Sequence, residues 1–116
     1  MSYSQNQLKT MSQSSPKELA RILTSPNADV HTLTYGAELL GEIPDERIVL
    51  PALRILLKHV NAVVREGAMM GLSSFYMERK PPQDIMERLR AMTKTDPSPS
   101  NKEFAGTILK DFEALP

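Results

Sequence analysis

Apolar residues recur at helical spacing along most of the chain, and Pro- and Gly-marked breaks divide that pattern into segments. Ser15-Pro16-Lys17-Glu18 has the form of a helix start, with Ser as cap, Pro in the first turn and Glu three residues after Ser. A first helix is predicted from there to about Thr24, with Leu19, Ile22 and Leu23 on one side. Ser25-Pro26 restarts the chain, and Leu33, Gly36, Ala37 and Leu40 follow the i, i+3, i+4, i+7 rule over about 28–42. Gly41 and Pro44 end that helix. The stretch 45–59 is apolar around most of its circumference, as in a helix enclosed on several sides, with Pro51 inside the pattern as a kink or late start. Asn61 is a candidate cap for a helix to about Met77, in which Gly67, Ala68 and Gly71 allow close approach and Val64, Leu72 and Phe75 supply bulk. Pro81-Pro82 breaks it. Ile85, Leu89 and Met92 mark a helix over 83–94, and Ser100 with Glu103 forms a second capping box before Phe104, Ala105, Ile108, Leu109 and Phe112. The Ser- and Gln-rich residues 1–14 have little to bury and read as a flexible tail.

The predicted helices pair, and the second member of each pair can be superimposed. With Leu40, Leu72 and Leu109 in register, at spacings of 32 and 37 residues, Gly36, Ala68 and Ala105 coincide four positions earlier. Periods of this size indicate stacked helical repeats, in this chain about 15–44, 45–80 and 81–114.

The middle unit carries a more specific signal. Leu50-Pro51-Ala52-Leu53, followed by Asn61-Ala-Val-Val-Arg65-Glu-Gly-Ala68-Met-Met-Gly-Leu72, resembles a HEAT repeat. That family has a Pro-kinked first helix, an acidic or amide residue in the turn, and a Val-Arg pair before small residues and Leu. Asn61 stands where Asp is usual, and the outer units depart from the Val-Arg pair, with Thr32-Leu33 and Asn101-Lys102. The resemblance implies an all-α, right-handed α-solenoid of about three helix pairs (armadillo-like) over 15–116. It implies that the second helices line a concave surface, and that degenerate outer repeats act as caps. On that surface the candidate partner-binding residues are Glu38, Arg65, Glu66, Met70, Ser73 and Met77. The resemblance gives Arg65 a different duty, tying together the turns of adjacent repeats.

Composition narrows the function classes. Lys plus Arg equals Asp plus Glu at 14 each, so there is no cationic field to draw nucleic acid or membranes non-specifically. No cysteine is present, which excludes disulfides and thiolate metal sites. No apolar run reaches membrane-spanning length, and the first residues lack the apolar core of a signal peptide, so the expected location is cytoplasmic. The Gly67-x-x-x-Gly71 spacing, preceded directly by Arg65 and Glu66, reads as close packing within a water-soluble stack. His31 and His59 stand 28 residues apart without a carboxylate cluster, too few ligands for zinc, and the His-Glu pairs of HEAT-like iron hydroxylases are missing. No phosphate loop, Ser-His-Asp grouping or carboxylate pair is evident. The expectation is a non-enzymatic protein-binding module without cofactor, an adaptor or an inhibitor of immunity type, and a monomer or weak homodimer.

Charge is nonetheless segregated. Residues 29–46 hold Asp29, Glu38, Glu42, Asp45 and Glu46 with no cation, whereas 47–65 hold Arg47, Arg54, Lys58 and Arg65 with no acid. Residues 79–94 add five cations against Asp84 and Glu87. Adjacent repeats attracting one another would explain this, as would a polarised surface orienting a charged partner. The alternative function is a HEAT-like nucleic-acid binder using 47–65 and 79–94. Of the methionines, Met70 and Met77 lie seven apart, about 20° from one another around a helix, and away from the Val64/Ala68/Leu72 stripe. They are the pair expected on the surface, whereas Met69, Met86 and Met92 are read as core.

Overall fold

A computed structural model describes residues 2–116. It is all-helical over those residues, with α1 (Gln5–Ser14), α2 (Pro16–Leu23), α3 (Val30–Leu40), α4 (Glu46–Leu56), α5 (Ala62–Phe75), α6 (Gln83–Thr95) and α7 (Pro99–Glu113). The chain divides into two compact units, Met1–Phe75 and Tyr76–Pro116.

Seven helices stand where six were expected, and the additional one is α1. Residues 5–14 are not a tail. Ser4 accepts from the Gln7 N–H at 3.1 Å while the Gln7 side chain accepts from the Ser4 N–H at 2.8 Å, a reciprocal capping box at the first turn. Leu8, the only large aliphatic residue in this stretch, is fully buried, and α1 packs on α2 and α3. One buried leucine on a polar helix gives no periodic signal, which is why composition pointed to a tail.

In the first unit α2 packs on α4 and α3 on α5, while α2–α3 and α4–α5 join the two layers. The α3–α5 contact is the most extensive, and small residues let the two backbones approach. A Cβ on Gly67 would lie 2.6 Å from the Thr34 carbonyl oxygen, a Cβ on Gly71 would overlap the Ala37 carbonyl, and one on Gly41 would meet Ser74. Around this line of backbone contact Leu33, Ala37, Leu40, Val64, Ala68 and Leu72 are buried. Each fully buried leucine contributes about 1.5–3 kcal/mol.

The local starts differ in detail from the expected ones. Ser15 makes no side-chain cap bond to α2; Asp29 caps α3 through the Thr32 N–H at 3.1 Å, and Asp45 caps α4 through Arg47. Asn61 does accept from the Val63 N–H, at 2.8 Å. Helix α4 continues past position 51, whose exposed proline ring leaves the Arg47 carbonyl without its usual i+4 donor.

In the second unit α6 packs on α7, with Ile85, Met86, Leu89 and Met92 buried on one helix and Ala105, Ile108 and Phe112 on the other. Tyr76 is fully buried and meets Phe112 edge-on, with ring centroids 6.5 Å apart. Its ring also carries the Arg79 guanidinium at 5.1 Å. Ser98, not Ser100, caps α7 by accepting from the Asn101 N–H, because Pro99 opens the helix two residues earlier than the Ser100/Glu103 pair suggests.

Candidate functional site: the face of helices α3 and α5

The residues singled out by sequence separate into a cluster on the first unit and two that fall outside it. Glu66, Met70 and Ser73 are spaced i, i+4, i+7 on α5, so they share a stripe within about 60°. Glu66 is exposed, Met70 is 42 % exposed and Ser73 is half-buried. Glu38 on α3 is half-buried beside them. Its carboxyl is held above the usual glutamate range, first by burial and second by the negative charge of Glu66. The close α3–α5 approach that Gly67 and Gly71 permit is therefore what brings two like charges together across helices.

Further residues join the stripe from α3, where His31, Tyr35 and Glu38 repeat at i, i+4, i+7, and Glu42 follows in the turn after the helix. On α5, Val63 is 52 % exposed, three positions before Glu66. The face thus combines Glu38 and Glu66 with Val63, Met70 and part of Tyr35, and these stripes contain no Lys or Arg. Tyr35 and Val63 are additions that the same period would have found had it been applied to the outward face as well as the core.

Arg65 is not on this face. It is 6 % exposed, and its Nη1 donates to the His59 carbonyl at 2.8 Å and the Val60 carbonyl at 3.0 Å. Those carbonyls lie in the turn between α4 and α5, outside either helix. Arg65 therefore closes the turn of its own hairpin, a structural duty, where the HEAT resemblance implied a link between neighbouring turns. His59 Nδ1 accepts from the Asn61 N–H at 3.0 Å, so this histidine also serves the turn. Met77 is 72 % exposed but lies beyond the end of α5, in the second unit. Met69, Met86 and Met92 are buried.

The stripe offers carboxylates, a thioether and a hydroxyl, a set suited to contact. Among the described residues no group of three or more His, Asp or Glu is placed to hold a metal ion, and no helix is long and apolar enough to cross a membrane. Compared with family models, with curated proteins and with solved structures, the chain has no match.

Proposed function

We propose that this chain is a small non-enzymatic protein-interaction module whose α3/α5 face receives a basic, partly apolar segment of a partner protein. The observation that carries this reading is the juxtaposition of Glu38 and Glu66 across two tightly packed helices, with Met70 exposed next to them. A partner lysine or arginine between the two carboxylates would relieve their repulsion, and Met70 and Val63 supply adaptable apolar contact. An adaptor or an inhibitory binder would use such a face equally well.

The architecture we propose behind it is a short α-solenoid of HEAT type, with α2/α3 and α4/α5 as successive pairs and α1 covering the open side of the first. Support comes from the α2-on-α4 and α3-on-α5 packing and from the recurrence of Gly36, Ala68 and Ala105, all buried, four residues before Leu40, Leu72 and Leu109.

Nucleic-acid binding through 47–65 and 79–94 is the weaker reading. Arg65 is committed to backbone carbonyls and Arg79 to the Tyr76 ring, and Arg90 pairs with Glu113. A pull-down from nuclease-treated native lysate decides between them, comparing wild type with Glu66→Arg/Met70→Asp. The reading expects a protein retained by wild type and lost by the folded variant. Retention by both, or recovery of nucleic acid alone when nuclease is omitted, would overturn it.

A further inference from the structure

A second surface of the first unit, formed by different helices, has its own chemistry. Between α2 and α4 lies an open groove of about 420 Å³ lined by Lys17, Ala20, Arg21 and Thr24 on one side and by Arg47, Ile48, Pro51, Ala52 and Ile55 on the other. Its floor is apolar. Ile55 is 53 % exposed, an uncovered large aliphatic side chain in the middle unit of the pattern. Its rim is cationic, with Lys17, Arg21 and Arg47 and no acid among the lining residues.

The two arginines are held in place without being neutralised. Arg21 Nε donates to Glu18 at 2.9 Å, and Arg47 Nε lies 3.5 Å from Asp45, yet the two arginine side chains are 67 % and 92 % exposed. Exposed pairs of this kind are weak, and a guanidinium with five N–H donors can accept a second carboxylate. Neither Glu18 nor Asp45 lines the groove.

We infer that the α2/α4 groove docks a short acidic amphipathic segment of a partner protein, distinct from the one at α3/α5. Its apolar side chains rest on Ile48, Pro51 and Ile55, and its flanking carboxylates meet Lys17, Arg21 and Arg47. Charge complementarity selects this occupant. A phosphate backbone would find the cations, but no aromatic side chain lines the groove for bases to stack on, and an apolar floor offers nothing to a phosphate. The lining of α2 spans Lys17 to Thr24, about 10 Å of helix, which matches two turns of a docked helix.

The test is selection of peptides of about 12 residues, roughly 18 Å if helical, from a random display library against the full-length chain, followed by titration into ¹⁵N-labelled protein. The inference expects enriched sequences that combine Asp or Glu with two or three large apolar residues. Their amide shifts should centre on 17–24 and 47–55. Affinity should fall at least ten-fold in Arg21→Glu/Arg47→Glu and decline as salt rises beyond ~0.1 M, where the Debye length is about 10 Å. Should the double charge reversal fail to fold, the single change Ile55→Asp at an exposed position is expected to give the same loss. Enriched peptides that are neutral or basic, shifts that lie elsewhere, or affinity indifferent to these variants would overturn it. So would no enrichment at all, or an oligonucleotide of about 20 nucleotides giving the 17–24 and 47–55 shifts in place of any acidic peptide.

Discussion

Three side chains in the first unit show how single residues set local stability. Arg65 joins the carbonyls of His59 and Val60, both in the turn between α4 and α5, from a site with 6 % exposure. Replacing it with methionine keeps the apolar stem but orphans both acceptors, an expected loss of about 1–3 kcal/mol in urea unfolding; a variant as stable as wild type would refute this role. Thr34 is the opposite case, since its hydroxyl is buried without a hydrogen-bond partner. Thr34→Val keeps the shape and removes the cost, so its unfolding midpoint should rise by the equivalent of about 1 kcal/mol. Glu38 has a pKa raised by burial and then by Glu66. The native state therefore holds its proton more tightly than the unfolded chain does. Its contribution is favourable below the ordinary glutamate range and is lost as pH rises through the raised native value. Glu38→Gln should match wild type near pH 4, about the ordinary glutamate value, and exceed it at neutral pH. Urea midpoints across that range check it, and a difference independent of pH would contradict the assignment. Glu18 and Asp29, lowered by hydrogen bonds from Arg21 and Thr32, have the opposite sign: their stabilisation is present above the ordinary carboxylate range and fades as pH falls.

At the scale of elements, the glycines divide by what a methyl group would strike. Gly67 and Gly71 face backbone carbonyls of α3 that cannot yield, so Gly71→Ala should cost about 1–3 kcal/mol or more and open the α3–α5 contact. Gly106 on α7 has nothing nearer than 3.8 Å, so Gly106→Ala should gain about 1 kcal/mol from helix propensity alone. Thermal melts of the two variants should move in opposite directions. Six of the seven helices were legible in the sequence because 3.6-residue periodicity, Pro breaks and small-residue spacing agreed there. Their ends were less so: Ser15 and Ser100 look like caps, but Pro16 follows a Ser15 that makes no cap bond, and Pro99 shifts the α7 start to Ser98. Helix α1 escaped because its stability rests on one capping box and one buried leucine. Leu8→Ala should destabilise the first unit by about 2–5 kcal/mol.

At the scale of the molecule, a net charge of zero hides a division within the first unit. The α3/α5 stripes carry Glu38 and Glu66, and the α2/α4 groove carries Lys17, Arg21 and Arg47. The acidic and basic blocks were visible as runs along the chain, 29–46 and 47–65. Their faces were not, because Arg65 turns inward and the cations of α2 join the groove from outside the basic run. Glu38, Glu66, Met70 and Ser73 were named from sequence since one helical period relates the last three, whereas Arg65 has the same exposed-looking composition but is captured by turn carbonyls. The most direct test of the α3/α5 face is site-specific photocrosslinking in the native cell, with p-benzoylphenylalanine at Met70 and, as control, at Val60, a turn residue that is 93 % exposed. A discrete protein adduct from position 70, absent at position 60 and lost with Glu66→Arg, is the predicted result. No adduct at 70, or equal adducts from both positions, would contradict the account.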